Sequence, residues 1–504
     1  MFNSKANYDD LYFPQDGIGT GRLTISEETN SLKVLNNKPW GESDKEFIDL
    51  HGTLKDGSKA SLIDCLNLGK TQYRWGEGAQ YEQHFLPNYI LIGESFISSD
   101  DKKIKKITYH FENIDCLFIG SGLFGDIHPT QEEFREILKT DHIRYLKIAA
   151  ENNWKPHKFE PKTGKHPTLY YSSGVWEILK CKTDIGSISF QNRTSTQGPS
   201  IKGFNVKNQI AVSLEFKFPR TIFQALQALH SLHSFFELCL GKKQRYLWIE
   251  AELEDKRVKV ENQFEVYCGN INNGIIGKTE PTSFSDILLT PECKEDAFCK
   301  VMSGWLNSHR VLGKTRNRFA SSFYNKSYTI DRIVGAANMF DLLPKTYAPK
   351  KNNLDENTLS AISKCRETIK SLPEGNVSKD RILSYLGLLK SASLNDKVCF
   401  RADIITKNTP KRFPDLYLAC KQAVLCRNHF VHGRGSHFDY DKHINAFCFL
   451  TETLEFVFAV SHLIELGWDF NSWCTQEPWH SHPFARYINN YDYDIQNLKS
   501  ITNS

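Results

Sequence analysis

The sequence lacks the features that mark exported or membrane-spanning proteins. Residues 1–10 are polar and contain no apolar core, which predicts that no secretory signal peptide is present. The most apolar long stretch, residues 446–468, is interrupted by threonine, glutamate and histidine, so it predicts an amphipathic or buried helix and no membrane contact. The thirteen cysteines form no Cys-x-x-Cys pair, and several lie in apolar runs. This pattern is typical of buried free thiols in a reducing compartment, and it predicts a cytoplasmic protein.

Nucleotide-binding and metal-binding motifs are incomplete. Gly-Lys-Thr occurs three times, but each copy lacks the glycine that a phosphate-binding loop requires five positions earlier. Those earlier positions hold Asp64, Asn272 and Ser308. Cys474, His480 and His482 have ligand side chains, but their spacing fits no zinc site. The sequence therefore predicts neither a metal nor a cofactor.

A length of 504 residues predicts two to four domains. With 40% apolar and 24% charged residues, the composition is that of an ordinary globular protein. Up to about residue 216 the chain predicts short strands and turns, including a tight hairpin at residues 55–58. Residues 222–240 predict a helix that ends at Gly241, and residues 246–250 and 263–268 predict further strands. The helices predicted beyond this point cover roughly residues 294–324, 328–343, 355–372, 378–392, 413–432 and 441–467.

These changes of pattern predict an α+β fold, in which a β-rich N-terminal domain is followed by an all-helical bundle. We expect a β-rich domain at residues 1–216 and a mixed helix and strand segment at residues 217–290. A helical domain is expected at residues 291–470 and a C-terminal tail at residues 471–504.

The most informative segment is residues 427–433, Arg-Asn-His-Phe-Val-His-Gly. The residues before it, 414–426, carry apolar side chains at helical spacing and no helix breaker after the first position. Pro414 suits the first turn of a helix, and Gly433 suits its C-cap. The segment therefore predicts polar side chains on the last turns of a helix.

Arg427, Asn428 and His432 are the candidate catalytic residues. On a helix Asn428 and His432 are four positions apart and share a face, and Arg427 lies about 100° around the axis. Arginine binds phosphate with a planar fork of donors, and histidine transfers protons near neutral pH. This combination predicts cleavage of RNA without a metal.

The charge distribution favours a nucleic-acid partner near this segment. The net charge of the chain, +4, is too small for a protein that coats nucleic acid along its whole surface. Residues 401–445, however, contain eight lysines and arginines against four aspartates. Lys421, Arg434 and His437 are therefore candidate RNA contacts, although exposed loop residues such as Arg434 and His437 are more often only solvated.

The motif resembles that of the HEPN superfamily, in which an arginine, often followed by a polar residue, precedes a histidine by four to six intervening residues. Arg427, Asn428 and His432 match this pattern with four residues between the arginine and histidine. The β-rich N-terminal region is similar to the N-terminal domain of ApeA-type proteins. The similarity rests on His51-Gly52 and on residues 62–65, which follow beyond a hairpin. Those are bacterial anti-phage proteins with a C-terminal HEPN domain.

The resemblance implies a metal-independent endoribonuclease that acts in abortive infection. His432 would serve as acid or base, Arg427 would hold the phosphate, and Asn428 would orient a group beside them. The products would be a 2′,3′-cyclic phosphate and a 5′-OH. The resemblance also implies a homodimer through the HEPN domain, transfer RNA or messenger RNA as substrate, and a phage-derived trigger.

The sequence alone leaves three alternatives to a nuclease site open. Arg427 and His432 could simply interact with the helix dipole and the last carbonyls of the helix. The protein could instead be a non-catalytic HEPN module that binds nucleotides or nucleic acid. A third alternative is a sensor or scaffold whose β-rich domain binds carbohydrate or protein. Only the nuclease predicts that His432→Ala abolishes cleavage while the fold stays intact.

Overall fold

The computed structural model describes most of the chain. The described residues are 5–13, 19–26, 29–36, 47–75, 78–120, 122–156, 162–200, 203–254, 263–269, 280–292, 294–349, 355–373, 377–388, 392–433, 439–476, 478 and 480–502. They form a large antiparallel sheet in the N-terminal half and a helical bundle in the C-terminal half, which confirms the predicted α+β class.

Twelve of the fourteen described strands form a single sheet, and the remaining two pair with each other. The strands are β1 (Lys5–Tyr12), β2 (Thr20–Ser26), β3 (Ser31–Asn36), β4 (Phe47–Thr53), β5 (Lys59–Trp75), β6 (Gly78–Gly93), β7 (Ile104–Phe111), β8 (Phe124–Ile127), β9 (Leu169–Ser172), β10 (Glu177–Lys182), β11 (Gly186–Ser200), β12 (Gly203–Arg220), β13 (Tyr246–Leu253) and β14 (Gln263–Cys268). Their order in the large sheet is β10-β11-β12-β7-β13-β14-β6-β3-β2-β1-β4-β5.

One half of this sheet closes on itself, because β5 pairs with β6 along its whole length. In the described part of the chain, a single register pair, Tyr12 with Thr53, joins β1 to β4 and completes the ring. Alternate side chains point inward, as in β2, where Leu23 and Ile25 are buried between exposed or half-exposed neighbours. These inward residues form a small core of their own, separate from the core of the remaining chain.

The predicted hairpin at residues 55–58 is confirmed, since it joins β4 to β5. The Leu54 amide donates to the Ser58 carbonyl at 2.8 Å, and the Asp56 carboxylate accepts from the Ser58 amide at 2.9 Å. Gly57 has φ 92°, a left-handed conformation that glycine adopts without strain.

The open half of the sheet includes the strands predicted for the middle segment. β13 pairs with β7, and β14 pairs with β6, so both belong to the same sheet as the N-terminal strands. Helix α2 (Ile222–Leu240) packs against β7 and β12 and ends at Gly241, as predicted from the sequence. A capping box between Thr221 and Gln224 fixes its start.

The remaining helices include one in the N-terminal half and ten in the described C-terminal part. They are α1 (Gln131–Glu151), α3 (Glu295–Asn307), α4 (His309–Phe323), α5 (Ile330–Asp341), α6 (Glu356–Lys370), α7 (Val377–Leu388), α8 (Leu394–Asn408), α9 (Leu416–His432), α10 (Ile444–Leu466), α11 (Phe470–Thr475) and α12 (Pro483–Thr502). α5, α8, α9 and α12 surround α10, while α6 and α7 pack on each other.

α10 is the one described helix that is long and apolar enough to cross a membrane. Most of it, 83% of the relevant window, is buried inside the bundle, as the sequence predicted for a core helix. α3 connects the two halves, because it packs on α2 and β10 as well as on α10.

A disulfide joins Cys181 on β10 to Cys299 on α3. The prediction that all cysteines are free thiols is therefore wrong for this pair. Their separation of 118 residues gave no local signal, since pairing depends on the packing of α3 against β10. The other ten described cysteines are free.

Candidate functional site

The candidate site lies at the C-terminal end of α9, where the sequence predicted it. Gly433 ends the helix with φ 62°, and its amide donates to the His429 carbonyl at 2.9 Å. Pro414 lies two residues before the helix and not in its first turn, and its carbonyl accepts from the Tyr491 hydroxyl at 2.7 Å. The buried residues of α9 face α5, α8 and α10, which hold the helix in place.

The structure brings Arg427, Asn428 and His432 together. Nη1 of Arg427 donates to Oδ1 of Asn428 at 3.1 Å and to Nε2 of His432 at 3.4 Å. Because a guanidinium can only donate, the second contact requires an unprotonated Nε2. His432 is exposed, while only 15% of the Arg427 side chain is exposed. A substrate can therefore reach the histidine at the surface, beside an arginine whose position is fixed by its surroundings.

Three residues that the sequence analysis missed complete the site. On α5, Oδ1 of Asn338 accepts from Nη2 of Arg427 at 3.0 Å, and Oδ2 of Asp341 lies 3.7 Å from the same nitrogen. Lys397, in the first turn of α8, places its ammonium 3.5 Å from Oδ1 of Asp341. Asn338 and Asp341 are three positions apart and therefore share a face of α5.

The opposite edges of the Arg427 guanidinium thus have different roles. Nη2 is held by α5, whereas Nη1 points to Asn428 and His432. Nε is buried and has no hydrogen-bond partner in the described part of the chain. Because solvent does not reach Nε in this arrangement, a phosphate from solution would have to contact Arg427 through its Nη groups.

Of the other predicted RNA contacts, the structure describes Lys421. Lys421 is exposed on α9, six residues before Arg427. Arg434 and His437 fall outside the described residues. His429 packs against the rings of Phe430 and Tyr440, at 5.0 Å and 5.4 Å between centroids, which agrees with a structural role.

His482, considered above as a metal ligand, is fully buried away from this site. Its Nε2 contacts the Leu238 carbonyl at 3.0 Å, and its Nδ1 accepts from the Phe484 amide at 3.0 Å. Burial lowers the pKa of this imidazole to about 4, so it is neutral and holds the start of α12 against α2.

Comparison with known families decides the relationship of the chain. The family described as ApeA N-terminal domain 1 matches residues 12–305, more than half of the sequence. The chain belongs to the ApeA family. The Apea-like HEPN family matches residues 334–471, which contain all six residues of the site. Two resemblances are therefore confirmed: the HEPN resemblance drawn from the motif and the ApeA resemblance drawn from the β-rich N-terminal region. The two domains lie in the predicted order. The comparison with the curated proteins and the solved structures finds no match.

Membership of the ApeA family places the chain among anti-phage defence proteins whose HEPN domains are commonly nuclease-like. The HEPN match begins within α5, close to Asn338 and Asp341, and extends past α10. The contacts made by Asn338 and Asp341 are thus internal to the HEPN domain.

Proposed function

We propose that this ApeA-family protein is a metal-independent endoribonuclease of anti-phage defence. The observation that carries the proposal is the contact of Arg427 with both Asn428 and His432 at an exposed helix end. Those are the side chains that position a phosphate and move a proton at the same point.

The proposed reaction uses the ribose 2′-OH of the RNA as nucleophile. A base removes the 2′-OH proton, and the oxygen attacks the adjacent phosphorus while the bond to the 5′-oxygen breaks. An acid then protonates the leaving 5′-oxygen. The products carry a 2′,3′-cyclic phosphate and a 5′-OH. Arg427 holds the non-bridging phosphate oxygens and stabilises their charge, and Asn428 keeps Arg427 aligned with His432.

A homodimer through the HEPN domain supplies both proton-transfer groups. Each chain provides one motif histidine, whereas the reaction needs a base and an acid. Two copies that place their α9 ends side by side bring two copies of His432 to one phosphate. The exposed position of His432 is compatible with such a shared site.

In the cell, the N-terminal domain restrains the nuclease until infection supplies a phage-derived trigger. Cleavage of transfer RNA or messenger RNA then stops translation and aborts phage production. We propose a cytoplasmic site of action, where these substrates are found.

The decisive experiment compares RNA ends in phage-infected cells that carry the wild type or His432→Ala. Infection supplies the trigger, and sequencing that is selective for 2′,3′-cyclic phosphates detects the cuts. We expect new ends with the wild type and none with His432→Ala. His480→Ala, which changes an exposed histidine outside the site, is the matched control and should behave as wild type.

Purified protein in EDTA tests the metal independence separately. Cleavage of total RNA by the wild type but not by His432→Ala supports the mechanism. Equal cleavage by both proteins removes His432 from the mechanism. Binding of RNA without cyclic-phosphate ends, in infected cells as well as in vitro, favours the non-catalytic HEPN module.

A further inference from the structure

Very little of α1 is buried for a helix of its length. Of its 21 residues, only Ala149 is buried. No described helix or strand shares an extensive packing surface with it. The helix nevertheless begins with a complete capping box between Thr130 and Glu133. Because helices of this length gain most of their stability from packing, an exposed α1 indicates a missing partner.

The outward face of α1 is centred on Thr140. At 100° per residue, the side chains within about 60° of Thr140 are Glu133, Glu136, Ile137, Ile143, Arg144, Lys147 and, at the end of the helix, Glu151. The two isoleucines are 39% and 47% exposed. The half-buried residues Leu138, His142 and Tyr145 lie on the opposite side, toward the rest of the chain.

An open groove of about 770 Å³ runs along this outward face. Ile127 and Pro129 line one side of it, and Glu136, Ile137 and Arg144 line the other. A groove of this size beside exposed isoleucines can accept side chains from another helix.

The charges of the outward face change sign along the helix. Glu133 and Glu136 lie in the N-terminal half, and Arg144 and Lys147 lie in the C-terminal half. Glu151 on the same face is the last residue of the helix, and with an axis at Thr140 it lies opposite position 129, before the other α1 begins. Within the described residues, Glu136, Arg144 and Lys147 make no hydrogen bond or ion pair. Their charges are therefore available to a partner.

A second α1, antiparallel to the first, matches this pattern. With a two-fold axis at Thr140, Glu136 faces Arg144 of the other copy, Glu133 faces Lys147, and Ile137 faces Ile143. Each contact occurs twice, as in every isologous interface. A parallel arrangement would instead place like charges opposite each other.

We propose that α1 is a self-association surface, which pairs antiparallel with α1 of a second copy of this chain about a two-fold axis at Thr140. This surface is separate from the α9 ends, and it does not depend on the nuclease activity. Two isologous surfaces with different two-fold axes assemble a chain beyond a dimer.

Disulfide trapping tests the axis directly. In the proposed pairing, the two Thr140 side chains face each other across helices about 8–10 Å apart, so Thr140→Cys forms a covalent dimer under mild oxidation. Gln131→Cys is the control, because residue 131 points away and lies about 27 Å along the helix from its symmetry mate. We expect dimers on a non-reducing gel from Thr140→Cys, above the level of the wild type and of Gln131→Cys.

Charge reversal in the Thr140→Cys background tests the partner. Glu136→Arg and Arg144→Glu each replace two attractions by two repulsions, so each should slow trapping about tenfold. The double variant, and an equimolar mixture of the two single variants, should restore it, because opposite charges then face each other again at positions 136 and 144. Glu133 is left unchanged because it caps the helix.

A Thr140→Cys protein that traps no better than the controls overturns the proposal and favours a different protein as the partner. Double variants as slow as the single ones overturn it as well.

Discussion

Arg427 makes most of the polar contacts of the site. Its Nη1 edge faces Asn428 and His432, and its Nη2 edge faces Asn338 and Asp341. Asp341 is shared with Lys397, so its negative charge is balanced by two cations. A phosphate bound beside Arg427 therefore meets less repulsion than an unpaired carboxylate would cause.

Replacing Asp341 with asparagine keeps the size of the side chain but removes the charge that orients Nη2. If the proposed nuclease activity holds, we expect cleavage of a defined RNA oligonucleotide to slow about tenfold to a hundredfold, mainly in kcat. A misplaced arginine still binds phosphate, but it stabilises the transition state less well. The measurements are single-turnover rates and KM, with the melting temperature as a check on folding.

Asp403→Asn is the matched control for this variant. Asp403 is an aspartate on α8 that pairs with Lys407 and accepts from the Tyr417 hydroxyl, away from Arg427. It should cleave at the wild-type rate. An unchanged kcat for Asp341→Asn would show that α5 does not position the arginine.

The sequence predicted only the local part of this site. Arg427, Asn428 and His432 lie within six residues, so helical geometry was enough to group them. Asn338 lies 89 residues before Arg427 on another helix, and its contact depends on how α5 packs against α9. No spacing rule connects residues in that way.

Among the helices, a buried ion pair joins α5 to α10. Arg332 donates from Nε and Nη2 to the two carboxylate oxygens of Glu455, at 3.0 Å and 2.8 Å, and Ser322 donates to the same carboxylate at 2.8 Å. Both charged side chains are almost completely buried. Since α5 also carries Asn338 and Asp341, this pair helps to fix the site.

Glu455→Leu leaves the Arg332 charge buried without its partner. We expect the free energy of unfolding to fall by about 3–5 kcal/mol, measured by urea denaturation. The double variant Arg332→Met with Glu455→Leu should recover most of that loss, because neither buried charge remains. A double variant that is less stable than Glu455→Leu alone would contradict this account.

Helix prediction was accurate where apolar periodicity is strong and weak elsewhere. The helix predicted at residues 294–324 is two helices, α3 and α4, which meet at Ser308. The Ser308 hydroxyl donates to the Gly304 carbonyl at 2.6 Å, a local bond that competes with helix continuation. The sequence analysis did not predict α1 within the strand-rich N-terminal region. The helix is exposed and highly charged, so its apolar residues show little helical periodicity.

The disulfide between β10 and α3 should add to stability. Its loop of 118 residues predicts a contribution of about 5 kcal/mol from the restricted unfolded chain. Dithiothreitol should therefore lower the melting temperature of the wild type. Cys299→Ser should melt at the temperature of the reduced wild type and should not respond to the reductant. Equal melting with and without reductant would show that the bond adds nothing to stability.

For the whole molecule, buried histidines predict a loss of stability in acid. Burial lowers the pKa of His233 to about 3, and the pKa values of His462 and His482 to about 4. In the unfolded chain these groups titrate near 6.5. As the pH falls from 6.5 toward 4, only the unfolded state takes up the protons, so the folded state loses on the order of 2 kcal/mol per histidine.

Glu237 acts in the opposite direction, because burial raises its pKa to about 7 and its folded form keeps a proton that the unfolded chain releases. Asp494, whose pKa burial raises to about 6, acts in the same way as Glu237. Three histidines outweigh these two carboxyl groups, so the melting temperature should fall steadily from pH 6.5 to pH 4.5. His462→Asn should flatten that slope relative to the wild type. A melting temperature that does not change over this range would contradict the prediction.

The class of fold was predictable, but the connections of the sheet were not. Single strands such as residues 187–190 and 209–216 were recognised from composition and lie within β11 and β12. The order of the strands depends on long-range pairs. The long strand β6, for example, pairs with β3 at residues 81–85 and with β14 at residues 89–92. The domain boundaries stay predictions, although β13 and β14 belong to the same sheet as the strands before residue 216.

The bond between Cys181 and Cys299 also gives the chain a closed covalent loop. All of β11, β12, α2, β13 and β14 lie inside that loop. A protease that cuts once between residues 182 and 298 therefore produces no separate fragments until the bond is reduced. In an oxidising environment the nicked protein keeps its full covalent mass, whereas in a reducing one the same cut leaves no covalent link between the N-terminal strands and the HEPN domain.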